Sequence, residues 1–220
     1  HILRESGVRN ISIDLIFGIS QLTDEIWKDT IEKALELAPE HISAYQLSIE
    51  EGSALAKMVA DGRYVEATDE QCRRLYDILC QSLRLAGYHH YEISNFAKPG
   101  FEAIHNSAYW RRAPYIGLGP GAHSLSGNVR SWNSQKLPHR NIVTYSRNFE
   151  TLSPEDIRVE RIMLSLRTDK GLETTELYSL ADRTVIETLL NEGALELHGT
   201  RIRIPEDRLF TSDEIIRELI

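Results

Sequence analysis

The sequence is short of several things, and each shortage closes a route. It has two cysteines, Cys72 and Cys80. Two thiols cannot build the disulfide framework that staples small secreted domains. Their spacing of eight inside "DEQCRRLYDILCQSLRLAG" fits no common zinc or redox motif, so they read as reduced cysteines on a helix. No apolar run approaches the ~20 residues that a bilayer-spanning helix needs, and no transmembrane segment is expected. No signal-peptide pattern opens the chain, which makes a cytoplasmic setting the expectation. Positive charge is short too. There are 25 Lys and Arg against 33 Asp and Glu, a net charge of −8. Binding a phosphate backbone requires clustered cations, so nucleic acid is not expected as a partner.

What is present is an ordinary globular balance over 220 residues, 41% hydrophobic and 26% charged. The run 10–18, "NISIDLIFG", mixes β-branched and apolar residues and ends in Gly; it reads as a strand buried on both faces. Thr23 then caps a helix whose Ile26, Trp27, Thr30, Ile31, Ala34, Leu35 and Ala38 share one face, with Asp24 and Glu25 at its positive end. A second strand covers 41–50, a short helix about 53–61, and a longer helix about 68–86 closed by Gly87. A third strand covers 88–94. Strand and helix alternating at this spacing predict right-handed βαβ units and three parallel strands in the order 1-2-3.

Three strands leave two open edges, and the chain opens on "HILRESG", which reads as the end of a helix. The expectation is therefore the later part of a larger βα protein, with earlier units missing and edges that could pair with a second copy as a homodimer. From about 150 the pattern changes. Ser153, Pro154, Glu155 and Asp156 signal a helix start. Short helices near 173–180 and 182–192 follow, then a hairpin turning at His198-Gly199-Thr200 and a last helix from 211. This outlines a small α+β, winged-helix-like domain over 150–220, after a first domain over 1–149. Residues 151–220 hold nine Lys and Arg against fifteen Asp and Glu. That sign opposes a DNA backbone and favours a packing or lid role.

Asp14 is the first candidate for chemistry. A carboxylate inside an apolar strand is costly unless it faces an opening or a partner, and Asp14 lies near the strand's carboxyl end, where parallel βα folds bind ligands. A pair of sugar hydroxyls would suit an acceptor-only group; a structural cap on a neighbouring loop is the alternative. Ser48, Glu50 and Glu51, and Glu92 and Ser94, close the next two strands and each reads singly as a solvated strand-end residue.

The second candidate is 104–124, "IHNSAYWRRAPYIGLGPGAHS". His105 and His123 could ligate a metal or haem iron, and Asn106 could orient a neighbouring group. Tyr109 and Trp110 offer flat apolar area, and Arg111 and Arg112 could pair with carboxylates. The glycines of "GLGPG" allow close backbone approach but do not match the GxGxxG of a dinucleotide site. A large planar anionic ligand is one reading; a tight loop with core aromatics and hydrogen-bonded histidines is the other.

Taken together, "ISIDLIFG", "PEHISAYQLSIEEGS", "GYHHYEISNFAKPGFEAIHNSAYW", "YIGLGPGAHS" and "RSWN" resemble the HemW-type haem chaperones, radical SAM proteins long labelled oxygen-independent coproporphyrinogen III oxidase-like. The resemblance covers nearly the whole chain and is strongest over 10–133. It rests on the HNxxYW motif, here His105–Trp110, which separates these proteins from the true oxidases. It implies a partial (β/α)6 barrel, of which this chain holds the last three strands, and a C-terminal helical domain. It also implies S-adenosylmethionine and a 4Fe–4S cluster in the intact protein, the cluster bound by a CxxxCxxC motif that this chain lacks and that Cys72 and Cys80 cannot replace. By the same resemblance Asp14 matches the aspartate that contacts the ribose of S-adenosylmethionine. His105, with Asn106, Tyr109 and Trp110, matches the haem-binding motif, and His123 is the rival iron ligand. The implied function is to bind haem and pass it to an acceptor apo-protein. The alternative is radical decarboxylation of coproporphyrinogen III propionates. One departure is visible: "GISQLT" (18–23) stands where the family usually has GLPGQT.

Overall fold

The computed structural model describes residues 1–134 and 146–220. Their contacts gather into two compact units, His1–Ala103 with Pro205–Thr211, and Ile104–Ile204 with Ser212–Ile220.

The first unit runs α1 (Ile2–Glu5), β1 (Ser12–Phe17), α2 (Asp24–Glu36), β2 (His41–Gln46), α3 (Ala54–Ala60), α4 (Asp69–Leu85), β3 (His89–Glu92) and β4 (Asn95–Ala97), with a 3-10 turn at Glu206–Thr211. Each longer helix starts where a hydroxyl satisfies an orphan amide. Thr23 accepts from the Ile26 N–H at 3.3 Å, Ser53 from Ala56 at 3.0 Å and Thr68 from Gln71 at 3.1 Å. Gly62 and Gly87, both at positive φ, follow the ends of α3 and α4.

The sheet order is β1-β2-β4-β3. β1 and β2 are parallel, as the βαβ spacing predicts, with Asp14 opposite Ser43. β4 is antiparallel to both β2 and β3. Leu15, Phe17, Ile42, Ala44 and Phe96 form one face and pack on Trp27, Ile31 and Ala34 of α2 and Leu75, Tyr76, Leu79 and Leu83 of α4. The Trp27 indole N–H donates to the Leu75 carbonyl at 2.9 Å, which ties the two helices together.

Two expectations are corrected here. The three strands do not lie in the order 1-2-3. The third has the expected direction, but β4 is inserted between it and β2. The run "YHHYEISNFA" folds back on itself at Ile93-Ser94, a turn made without Gly or Pro and marked only by the weaker signal of Ser94-Asn95. Nor is β1 buried on both faces. Ser12, Asp14 and Ile16 are exposed while Leu15 and Phe17 are buried. β1 is one of the sheet's two edge strands, with β3 at the other edge, and the helices cover one side.

The loop that departs from GLPGQT is held from α4. The Gln71 side-chain amide donates to the carbonyls of Ser20 (3.2 Å) and Leu22 (3.1 Å), and the Tyr64 hydroxyl accepts from the Ser20 N–H at 3.3 Å.

The second unit runs α5 (Ile104–Trp110), β5 (His123–Ser126), β6 (Val129–Asn133), β7 (Arg147–Thr151), α6 (Pro154–Leu166), β8 (Leu172–Glu173), α7 (Thr174–Leu180), α8 (Arg183–Asn191), β9 (Glu196–His198), β10 (Arg201–Arg203) and α9 (Ser212–Leu219). β5-β6-β7 and β8-β10-β9 form two three-stranded antiparallel sheets. The helices expected after 150 are present, and α6 opens with a full capping box between Ser153 and Asp156. His198 belongs to β9 rather than to the turn, and β8 adds a third strand that two residues of sequence do not signal. Ile162, Leu166, Leu172, Leu177, Ile186 and Ile202 are fully buried and make this unit's centre.

Gly18 sits at φ +78°, and a Cβ there would lie 3.1 Å from Gln46 Cγ and 3.3 Å from Cys72 Sγ. An L-residue in this region costs about 1–2 kcal/mol. Gly18→Ala is expected to lower stability to urea by about that amount; an unchanged unfolding midpoint would contradict the packing of this turn.

Candidate functional site

Each unit presents one candidate surface. In the first, alternate residues of the sheet point away from the helices, and the register lines them up in rows. Asp14, Ser43, Asn95 and Glu92 share one row, and Ser12, His41, Ala97 and His89 the next. Ile16 and Tyr45 extend the face and are half exposed.

A directed hydrogen-bond chain crosses this face. The Ala103 N–H donates to the Tyr91 hydroxyl oxygen at 3.2 Å. The Tyr91 O–H lies 2.8 Å from His41 Nε2, its acceptor among the described residues. His41 Nδ1 lies 2.9 Å from Ser12 Oγ, and with Tyr91 donating to Nε2 the Nδ1–H tautomer would donate to that oxygen. The chain ends at the Ser12 hydroxyl, two residues before Asp14 on the same face of β1. Burial outweighs the attraction of Asp14 and holds His41 below the ordinary histidine range, so the imidazole is neutral. Asp14 itself is exposed, as an acceptor for ligand hydroxyls requires.

Glu92 is not a solvated strand end. It is completely buried, because the register shifts at Tyr91 and returns Glu92 opposite Asn95. Burial pushes its carboxyl up to about 7, against the hydrogen bonds from Asn95 and the Ser94 backbone. Of the other rim residues, Ser48 donates to Glu50 at 2.9 Å, and Ser48, Glu50 and Glu51 are exposed.

The two cysteines are both buried. Burial raises both thiols, Cys80 to about 12. Such neutral thiols do not fit the thiolate set of an iron–sulfur cluster. Nor does Cys80 head a catalytic relay. His90 turns the same nitrogen, Nδ1, to Cys80 (4.0 Å) and to Glu206 (3.3 Å), and its other nitrogen to Tyr76. Among the described residues no group of three or more His, Cys, Asp and Glu is placed to hold a metal ion.

In the second unit, α5 places His105 and Tyr109 one turn apart, edge to face, with ring centroids 4.8 Å apart. Tyr109 meets Tyr115 in the same way at 4.7 Å. His105 is exposed, and none of the described residues hydrogen-bonds to its ring nitrogens. Asn106 and Trp110 are half-buried on the same helix, with no hydrogen bond or ring contact among the described residues. Two residues past the helix end lies Arg112, at a φ of +55°, with Nε–H donating to Glu160 at 2.7 Å and Nη1–H to the Gly127 carbonyl at 3.2 Å. Glu160 also takes Arg130. Arg112 is therefore committed inside the protein and is not available for a ligand carboxylate; Arg111 is exposed.

His123 has an aromatic partner that its sequence neighbours do not supply. β5 and β6 place it opposite Trp132, and the rings stack at 5.9 Å and 19°. The close approach that the glycine run permits is to the protein's own strand. A Cβ on Gly117 would fall 2.0 Å from the His123 carbonyl oxygen. The Gly117 N–H donates to Ser124 Oγ at 3.0 Å, and the Asn133 amide donates to the Gly119 carbonyl at 2.8 Å. Ile116 and Leu118 are left 79% and 87% exposed beside these histidines in sequence.

No family model matches the chain. Curated proteins do. It is 31% identical over 224 residues to "Heme chaperone HemW" of Mycobacterium tuberculosis, covering 97% of this chain and 56% of that protein. It is 35% identical over 175 residues to "Heme chaperone HemW" of Bacillus subtilis, covering 77% and 46%. It is 32% identical over 213 residues to "Radical S-adenosyl methionine domain-containing protein 1, mitochondrial" of Danio rerio, covering 90% and 48%. The chain thus spans about half the length of the curated relatives it matches. Among solved structures it superposes on that titled "Coproporphyrinogen III oxidase (HemN) from Escherichia coli is a Radical SAM enzyme", with a TM-score of 0.72, 18% identity, and coverage of 98% of this chain and 56% of that one. That likeness shows the fold.

The neutral His41 makes a testable demand. Its folded state takes up a proton at lower pH than the unfolded chain, whose histidines titrate near 6.5. Stability from this group is therefore lost as pH falls below about 6.5. Nitrogen NMR of His41 should show the Nδ1–H tautomer and a midpoint below 6.5; an Nε2–H tautomer or a raised midpoint would break the chain from Ala103 to Ser12.

Proposed function

The chain belongs to the HemW-like radical SAM proteins, and on that premise we propose that it carries the haem-handling part of a haem chaperone, with His105 as the iron ligand. The observation that carries this reading is an exposed imidazole on α5, edge-on to Tyr109, with no protein partner on either nitrogen among the described residues. A neutral imidazole in that state is a good iron ligand. Tyr109 fixes the ring's orientation and extends apolar area beside it. Haem so bound is passed to an acceptor apo-protein.

His123 is the second-choice ligand. Its ring already stacks on Trp132, so coordination would act on a pair that is satisfied within the sheet. Radical SAM relatives also imply S-adenosylmethionine and a 4Fe–4S cluster in the intact protein, which together supply one-electron chemistry. The residues present fit the first of these. Asp14 offers an exposed carboxylate on the outward face of the parallel strand β1, at the third of its six residues rather than at its carboxyl end, and an acceptor-only group suits ribose hydroxyls. They do not fit the second, since both thiols are buried and neutral. The order α6–β8–α7–α8–β9–β10 supports a winged-helix-like reading of the last third, and the parallel β1–β2 pair a barrel-derived reading of the first. No helix among the described residues is long and apolar enough to cross a membrane, which agrees with the cytoplasmic placing we favour.

Haem titration of the full-length protein tests the reading. His105→Ala should weaken haem binding about tenfold or more, ~1.4 kcal/mol, and shift the Soret band, while His123→Ala does less. Unchanged affinity and spectrum in His105→Ala would remove His105 as ligand. Turnover of coproporphyrinogen III by the intact, cluster-loaded protein would favour the oxidase reading instead.

A further inference from the structure

We propose that Glu92 is held in the folded protein as a neutral carboxylic acid whose Oε2–H donates to Asn95 Oδ1 while the Asn95 amide donates back to Glu92 Oε1, a closed acid–amide pair that binds one proton and latches β3 to β4.

The placement carries the inference. Glu92 is 0% exposed and Asn95 4% exposed, and they face each other across the β3–β4 pairing. Asn95 Nδ2–H already donates to Glu92 Oε1. The two remaining oxygens of the pair, Glu92 Oε2 and Asn95 Oδ1, are buried and have no partner. Buried polar atoms without partners are rare because each forfeits about 1–3 kcal/mol. Both orphans are acceptors when Glu92 is ionised, so they repel. A single proton on Oε2 turns one into a donor and satisfies both. Carboxyl and amide are planar forks of similar width, so with Oε1 and Nδ2 already bonded a second bond from Oε2–H to Oδ1 would close a ring.

Besides Asn95, the group that hydrogen-bonds the carboxyl is the Ser94 backbone, and it does not offset burial. The titratable groups facing this part of the sheet are Tyr76 from α4, Tyr91 and His90 from β3, His41 from β2, Asp14 from β1 and Glu206 from the 3-10 turn. Tyr76 and Tyr91 are held above the ordinary phenol range and are neutral. His41 is neutral and bonded to Ser12 and Tyr91. His90 turns to Cys80, Glu206 and Tyr76. No cation contributes to the Glu92 carboxyl, which burial raises to about 7. When the proton leaves to solvent, two facing oxygens remain at the register shift, and the bulged end of β3 loosens from β4.

The linkage has a definite sign. The unfolded carboxyl titrates near 4.5 and the folded one at about 7. The folded state keeps a proton that the unfolded chain releases, so stability falls as pH rises through this window and stays lower above it. The test is made on the full chain, in two arms. In the first, the side-chain carboxyl carbon of Glu92 is titrated by NMR in the unmodified protein; a midpoint near neutral pH is expected, and one in the ordinary range of 4 to 5 would overturn the proposal. In the second, Glu92→Gln replaces the acid by an amide that makes both bonds without a proton. The ratio of its folding constant to that of the unmodified protein should rise by about two orders of magnitude between pH 4.5 and 8, each pKa unit being tenfold. A flat ratio overturns the proposal; a variant that does not fold leaves the carbon titration to decide.

Discussion

The sheet of the first unit is covered by helices on one face, and that single asymmetry sets the rest. Ile42, Ala44 and Phe96 turn inward to Trp27, Leu75 and Leu79, so the alternation of strand side chains turns His41, Ser43 and Asn95 outward. Each outward polar group that becomes buried must then find a hydrogen bond on its own face. His41 finds two, at Ser12 and Tyr91. Asn95 finds Glu92. Burial deepens from Asp14 on the edge strand to Glu92 on β3, so one row of four residues passes from a solvated carboxylate to a desolvated one. The two carboxyls differ in solvation because of where the sheet puts them, and burial raises that of Glu92.

Much of this frame could be read from residue types. Thr23 and Ser153 each announced a helix, because capping depends on a hydroxyl three residues before an amide and hence on local sequence alone, and Ser53 and Thr68 cap α3 and α4 in the same way. The parallel β1–β2 pair was legible from strand–helix–strand spacing. β4 was not, since Ile93-Ser94 turn without a glycine or proline, and Ser94-Asn95 are too weak a signal to divide the run by themselves. The β5–β6–β7 sheet was hidden for another reason: its strands are short, polar and almost fully exposed at β7, so no apolar alternation marks them.

The candidate sites divide along the same line. His105 and Tyr109 meet because a helix brings i and i+4 together, which a sequence states directly. His123 and Trp132 meet because two strands pair in register, which a sequence does not state. Glycine misled in a similar way. A Gly-rich run beside aromatics looks like room for a bulky ligand, but at Gly117 the room is occupied by the His123 carbonyl. Arg112 shows the counterpart for charge: its place beside the aromatics is real, yet its guanidinium serves Glu160 and a backbone turn.

Those neutralised groups bear on what the open sheet face can bind. His41 carries no charge, and both cysteines are protonated. Among the described residues of the Asp14 row and its neighbour, the exposed anion is Asp14, and Ser12 ends a chain of donors two positions away on the same strand. A carboxylate acceptor beside a hydroxyl donor, with no cation on the adjoining strand, repels phosphate and suits a pair of hydroxyls. The same face would have read as an anion site had His41 been charged. What prevents that is burial, which outweighs the attraction of Asp14. Burial of His41 on one strand thus leaves Asp14 as the charge on the exposed part of this face, and the character of that part follows from the buried part beside it.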